Sequence, residues 1–245
     1  MTPFIGLGTL INAAAIVAGG LGGMLFRNIL KERYQETITK VCGVSTVFLG
    51  IAGTLSKMFK VNAASGAIEA QGTIMMILSL VLGALIGEAV DLDRRFETFG
   101  EWLKRKTGSE KDSQFVNGFV TASLTVCIGA MAIIGAIQDG IYADPSILTA
   151  KAVLDFIIVM IMASSMGKGC LFAALPVAVW QGTVTLLAKV ISPVLTEAAL
   201  ANIALTGNVL IACVGINLIW PRTIRVANLL PAVLLAALFS AVPYL

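Results

Sequence analysis

Apolar residues fall in long runs at residues 4–26, 41–56, 73–90, 115–138, 147–166, 169–187, 198–220 and 226–245, with polar stretches between them. An α-helix rises ~1.5 Å per residue and the hydrocarbon core of a bilayer is about 30 Å thick, so about 20 apolar residues make a membrane-crossing helix. The pattern therefore predicts eight transmembrane helices. The run at 169–187 carries Pro176 and Gln181 and reads equally as a re-entrant segment, which makes the expectation seven or eight spans.

Two of the polar stretches are amphipathic. Across 91–106, Leu92, Phe96, Phe99, Trp102 and Leu103 recur at helical spacing while Asp93, Arg94, Glu97, Glu101, Lys104 and Arg105 take the other faces. This predicts a helix lying in the headgroup plane. Residues 27–40 repeat the pattern with Leu30, Tyr34 and Ile38. With eight spans and both termini outside, thirteen of the seventeen basic residues fall in cytoplasmic segments, which is the orientation the positive-inside rule favours.

Composition agrees. The 245-residue chain is 58% hydrophobic and 13% charged, with a mean hydropathy of +0.92. Soluble domains have roughly 45–50% apolar and about 25% charged residues, so a soluble enzyme, a disordered chain and a fibrous protein are excluded. The net charge of +3 is scattered and implies no nucleic-acid partner. Histidine is absent, which removes the commonest metal ligand and general base. Cys42, Cys127, Cys170 and Cys213 lie singly in apolar runs and read as buried free thiols, so no metal or cofactor is expected. Met1-Thr2-Pro3 lacks the positive charge of a signal peptide, and the first run reads as a retained helix.

A shift of 64 residues places Gly8-Thr9 on Gly72-Thr73, Val17 on Val81, Gly19 on Gly83, Leu21 on Leu85, Gly23 on Gly87 and Lys40 on Lys104. Further on, Thr46-Val47 with Gly50 matches Thr125-Val126 with Gly129, and Cys127-Ile128-Gly129 resembles Cys213-Val214-Gly215. The unit is span, interfacial helix, span. Copies lie at 4–60 and 72–140, with a degenerate third at 147–220 and a final span at 226–245. A two-span unit keeps its orientation on duplication, so the repeat is parallel.

Gly19-x-x-x-Gly23 and Gly83-x-x-x-Gly87 are small-residue motifs that let helix backbones approach closely in a bilayer. Packing within the chain is the plain expectation, and a homodimer seam or a backbone-lined pathway is the alternative. The polar residues within the runs carry the candidate chemistry, because an amide or charge in hydrocarbon must find a partner or water. Asn12, Asn208 and Asn217 lie far from span ends, and Gln138 and Gln181 add further amides. Glu88 stands near the inner end of the third span, where Arg94 and Arg95 are expected to offset it, and Asp139 with Gly140 closes the fourth span as a turn or a polar site. Lys151 and Asp155 are spaced i,i+4 and share a helix face. Asp155 lies eight residues into its run, at a depth of about 12 Å.

Four segments carry a family resemblance: Gly8-Thr9-Leu10-Ile11-Asn12, the run GALIGE at 83–88, FVTASLTVCIGAMAIIGAIQDG at 119–140, and Val226-Ala227-Asn228-Leu229-Leu230-Pro231. Over nearly its whole length the chain resembles an uncharacterised prokaryotic integral membrane family, domain of unknown function 554. The resemblance implies a bacterial plasma membrane and supplies no activity.

The expected fold is thus all-α: one polytopic transmembrane helical bundle over 1–245, with a parallel internal repeat and cytoplasmic interfacial helices. The leading functional expectation is a transporter or channel for a small polar solute or ion, passive or ion-coupled since no nucleotide-binding motif is present. Its pathway candidates are Asp155, Lys151, Asn12, Glu88, Gln138, Asp139, Asn208 and Asn217. Its partners are the lipid bilayer, the solute and a second copy of the chain. The second class is a membrane scaffold whose polar groups are structural and whose interfacial helices contact a partner. An intramembrane enzyme ranks third, and the chain is not expected to be one.

Overall fold

The structure is a computed structural model that describes residues 4–27, 31–61, 66–192 and 195–241. Its helices are α1 (Leu7–Arg27), α2 (Glu32–Met58), α3 (Thr73–Val90), α4 (Leu92–Lys106), α5 (Phe115–Cys127), α6 (Ala130–Tyr142), α7 (Ser146–Met166), α8 (Ala174–Leu186), α9 (Ala188–Ile191), α10 (Glu197–Ile219) and α11 (Pro231–Phe239). Turns of 3-10 helix at Lys168–Ala173 and Val226–Leu229 lead into α8 and α11. Among the described residues, six helices are long and apolar enough to cross a membrane, or up to seven when α5 and α6 count as one bent span. The segment Lys168–Leu186 is among the six.

Three helix pairs form the frame, and small residues bring each pair together. In a bilayer, lipid is as apolar as leucine, so close backbone packing takes over much of the work that the hydrophobic effect does in water. A Cβ at Gly19 would stand 2.4 Å from the Phe156 carbonyl oxygen, and one at Gly23 would stand 2.2 Å from that of Met160, so α1 runs along α7 in parallel. Gly43 and Gly50 of α2 pack on Gly215 and Ala212 of α10, antiparallel. Gly83 lies on Ala232, and Gly87 on the Asn228 carbonyl, where a Cβ would come within 1.8 Å. All four predicted packing glycines thus meet other helices of the same chain. The partner of α1 is parallel and that of α3 antiparallel, so the two GxxxG helices sit in different local settings.

Ion pairs and close contacts define the two ends of the bundle. At a basic end, Arg27 pairs with Asp112 at 3.7 Å, Arg225 with Glu88 at 3.1 Å and Arg222 with Glu97 at 3.8 Å. The guanidinium of Arg27 lies directly over Gly167, whose φ of 85° is a second reason for glycine there. At the opposite end, a short hairpin pairs Phe59–Val61 with Ile68–Ala70, an element that hydropathy did not foretell.

Three sequence expectations change here. Residues 32–40 form no separate interfacial helix. They are the first turns of α2, which continues unbroken to Met58 because nothing between Lys40 and Val41 interrupts helical geometry; Leu30 lies outside the described residues. The run 115–138 is not one straight helix, since α5 and α6 meet at 63° about Ile128-Gly129. The partner of Glu88 is Arg225, whereas Arg95 donates to the Val90 carbonyl. Of the run 226–245, the 3-10 turn takes Val226–Leu229 and α11 takes Pro231–Phe239, and residues 242–245 lie outside those described.

The expected helix at 91–106 is present as α4. Gly100 and Leu103 bury its seam against Phe115 and Phe119 of α5, while Phe99 and Trp102 stack at 5.7 Å on its exposed side.

Candidate functional site

The polar interior lies where α1, α6, α7 and α8 meet. Thr9 and Asn12 share one face of α1, and Gln181 and Thr185 share one face of α8, each pair about one turn apart. The faces form a ladder, with Thr9 Oγ1 3.4 Å from Thr185 Oγ1 and Asn12 Nδ2 donating to Gln181 Oε1 at 3.2 Å. Above the ladder, the N–H of Gly8 donates to Asp139 Oδ2 at 3.0 Å, which places a carboxylate at the N-terminus of α1 where the helix dipole favours negative charge. Asp139 is wholly buried, so the plain surface turn expected at the end of the fourth span is replaced by an interior cap.

On the other side, the Asn12 side chain lies beside the Asp155 carboxylate. Asp155 accepts from Lys151 Nζ at 2.5 Å, and both residues are buried. The same ammonium donates to the Val126 carbonyl at 2.9 Å. That carbonyl belongs to the last turn of α5, where a helix leaves its final C=O groups without helical partners. The break explains why the group is free. Gly129 takes φ 142° and ψ 148°, a conformation essentially confined to glycine, and α6 begins again in a new direction.

The fold leaves part of this cluster unpartnered. Asn12 Oδ1, Gln181 Nε2 and Asp139 Oδ1 are buried without a hydrogen bond, as is Thr206 Oγ1 on α10. Thr206 neighbours Gly207, which packs loosely against Ile128 and Gly129. A buried polar atom without a partner costs about 1–3 kcal/mol. Three such atoms lie on the same small group of side chains.

A cavity of about 540 Å³ opens at the basic end and runs beside α5 past Asn117 and Thr121 to Leu124. Its mouth is edged by Asp93, Arg94, Glu97, Arg222 and Arg225, and burial together with the neighbouring Glu97 pushes the Asp93 carboxyl above the usual carboxylate range. Beyond Leu124, that side chain packs with Ile128, Leu210 and Val214 in an apolar cluster. The cavity lining does not include Lys151 or Asp155.

The sequence-predicted residues therefore separate. Asn12, Lys151 and Asp155 come together, with Asp139 at the same end of α1. Asn217 clamps a turn at the basic end, accepting from the Ile224 N–H at 2.9 Å and donating to its carbonyl at 2.6 Å, and it lines the cavity. Glu88 is half-exposed at that end. Asn208 lies under Gly53 in the α2–α10 seam. Gln138 bonds Asp144 in the turn before α7. Asn228 accepts from the Asp93 N–H at 2.7 Å and so caps α4.

A family model described as "Protein of unknown function (DUF554)" matches residues 7–241. The chain belongs to that family. It is 30% identical over 239 residues to "Uncharacterized protein YqgA" of Escherichia coli (strain K12), covering 96% of both chains. It is 29% identical over 229 residues, 93% of both chains, to "Uncharacterized membrane protein YdfK" of Bacillus subtilis (strain 168). No solved structure matches it. The apolar helices and the relative named a membrane protein together identify this chain as a membrane protein.

The break, the Val126 carbonyl, Thr9 and Thr185 were not among the candidates read from sequence. Threonine is too common in apolar runs to stand out, and only the glycine following Ile128 hinted at the break.

Proposed function

We propose that the protein moves a small polar solute or ion across the bacterial plasma membrane, by a passive or ion-coupled mechanism. The observation that carries this reading is the group of unpartnered polar atoms on Asn12, Gln181 and Asp139, buried in an apolar bundle and beside a helix broken between α5 and α6. Irregular backbone at membrane depth is tolerated where protein surrounds it or where it lines a path, and half-helix ends supply partial charge there.

In this reading the chain crosses the membrane eight times with both termini outside, and the basic end faces the cytoplasm. The segments Lys168–Leu186 and 226–239 are crossings, and α4 lies at the interface with Phe99 and Trp102 toward the headgroups. The 540 Å³ cavity is the cytoplasmic vestibule. Leu124, Ile128, Leu210 and Val214 are the barrier between it and the polar cluster, so the conformation is closed on the cytoplasmic side of that cluster.

The test is flux into liposomes containing the purified protein, with a panel of ions and small metabolites under imposed gradients. Flux of one solute class that is lost in Asp155→Asn, with the variant still monodisperse and correctly inserted, is the expected result. Wild-type liposomes that pass nothing in the panel, alongside specific capture of a partner through α4, would favour the scaffold reading instead.

A further inference from the structure

We infer that the α5–α6 break and Asp155 form a monovalent-cation site which this chain fills with its own Lys151 ammonium. Two oxygens place a cation there. The last turn of α5 presents the Val126 carbonyl 2.9 Å from Lys151 Nζ, at the negative end of a helix dipole that the break has brought into the interior. Asp155 supplies a carboxylate oxygen at 2.5 Å. Asn12, wholly buried on the facing helix α1, lies beside that carboxylate and outside the ammonium's own contacts. Carboxylate and backbone carbonyl oxygens are donors that hard cations take, and a half-helix C-terminus in a membrane is a recognised place for them. An ammonium group is close to a potassium ion in size and charge.

An ordinary ion pair between adjacent turns of α7 needs neither the break nor the carbonyl. Here the ammonium also contacts a second element, at the position where that element's dipole ends. This inference concerns the cluster assigned above to transport and rests on that reading only for its consequence. With the site permanently occupied by Lys151, transport in the native protein needs no sodium or potassium, whereas removal of the ammonium opens the site to a free cation.

The experiment measures binding, not flux, so it stands even if no solute is ever found to cross. Wild type and Lys151→Ala are purified in detergent with choline chloride, and their unfolding midpoints are followed by tryptophan fluorescence. Choline is then replaced stepwise by lithium, sodium, potassium or ammonium chloride at constant ionic strength. The expected result is a saturable rise in midpoint for Lys151→Ala with at least one of the four, no such rise for wild type, and its loss in Lys151→Ala/Asp155→Asn. A folded Lys151→Ala whose midpoint is the same in all five salts overturns the inference. Should Lys151→Ala not survive purification in choline, it is prepared in each of the other salts. Recovery in one of them supports the site, and recovery in none overturns it.

Discussion

Lys151 makes two bonds, so replacing it and its partner separately and together resolves what each contributes. Lys151→Met strands a carboxylate on a residue only 4% exposed and leaves the Val126 carbonyl without its donor. Breaking a buried pair from one side costs about 3–5 kcal/mol, because the remaining charge is uncompensated. Asp155→Leu leaves the ammonium with Val126 alone and falls in the same range. The double variant Lys151→Met/Asp155→Leu buries no charge and forfeits only the bond to Val126, a cost of about 1–3 kcal/mol. The cycle should therefore return a coupling of at least about 3 kcal/mol, far above the additive limit of about 0.5 kcal/mol for independent sites. Equilibrium unfolding in mixed micelles, with choline as the only added cation, measures it. A double variant as destabilised as the two single variants combined would refute the electrostatic account of the pair.

Further outcomes follow from close contacts, strain and topology. Gly87→Ala should abolish recovery of folded protein, because its Cβ would lie 1.8 Å from the Asn228 carbonyl, while Gly22→Ala, 3.6 Å from Met160, should be recovered normally by gel filtration. Gly129→Ala has open space around it yet should lose about 1–3 kcal/mol in the same unfolding assay, since φ 142° is glycine territory. A cysteine at Ser113, exposed beside Asp112 at the basic end, should resist impermeant thiol reagents added outside intact cells that carry an otherwise cysteine-free protein; rapid labelling would reverse the proposed orientation.

Where the apolar pattern alone decides an element, sequence and structure agree closely. The run 73–90 is α3 residue for residue, 147–166 differs from α7 by one residue at its start, and 198–220 is offset from α10 by one residue at each end. Hydropathy reads transfer to lipid and says little about direction. Residues 115–138 are apolar on both sides of Ile128-Gly129, so the 63° bend left no trace in composition. Residues 32–40 are polar, but Glu32, Arg33, Gln35, Glu36 and Lys40 favour helix, so α2 runs through them although hydropathy falls. The pairing of Lys151 with Asp155 was legible because both lie on one helix at i,i+4. The Val126 carbonyl was not, being a backbone group 25 residues away whose freedom depends on the break. Asn208, Asn217 and Asn228 look alike in sequence, yet one packs in a seam, one clamps a turn and one caps a helix; the difference lies in tertiary neighbours.

The break is held firmly at its ends and loosely in its middle. A Cβ at Gly169 would come within 1.9 Å of the Phe115 carbonyl, fixing the start of α5, and one at Gly140 within 2.3 Å of the Thr185 carbonyl, fixing the end of α6. Between them Gly129 has no neighbour within 4 Å of its Cβ position, and Gly207 of α10 stands 3.5 Å from Ile128 and 4.0 Å from the Gly129 nitrogen. A path that opens past Ile128 must move that side chain, and Gly207, without a Cβ, is what faces it from α10. Gly207→Ala adds a methyl group at ordinary contact distance and should leave folding and flux near wild type. Gly207→Leu presses a bulky side chain onto Ile128 at a cost of about 1–3 kcal/mol, and its expected signature is a protein that still folds but whose flux falls at least tenfold. Wild-type flux through a folded Gly207→Leu protein would show that the path does not run past Ile128, leaving the α5–α6 break a structural bend.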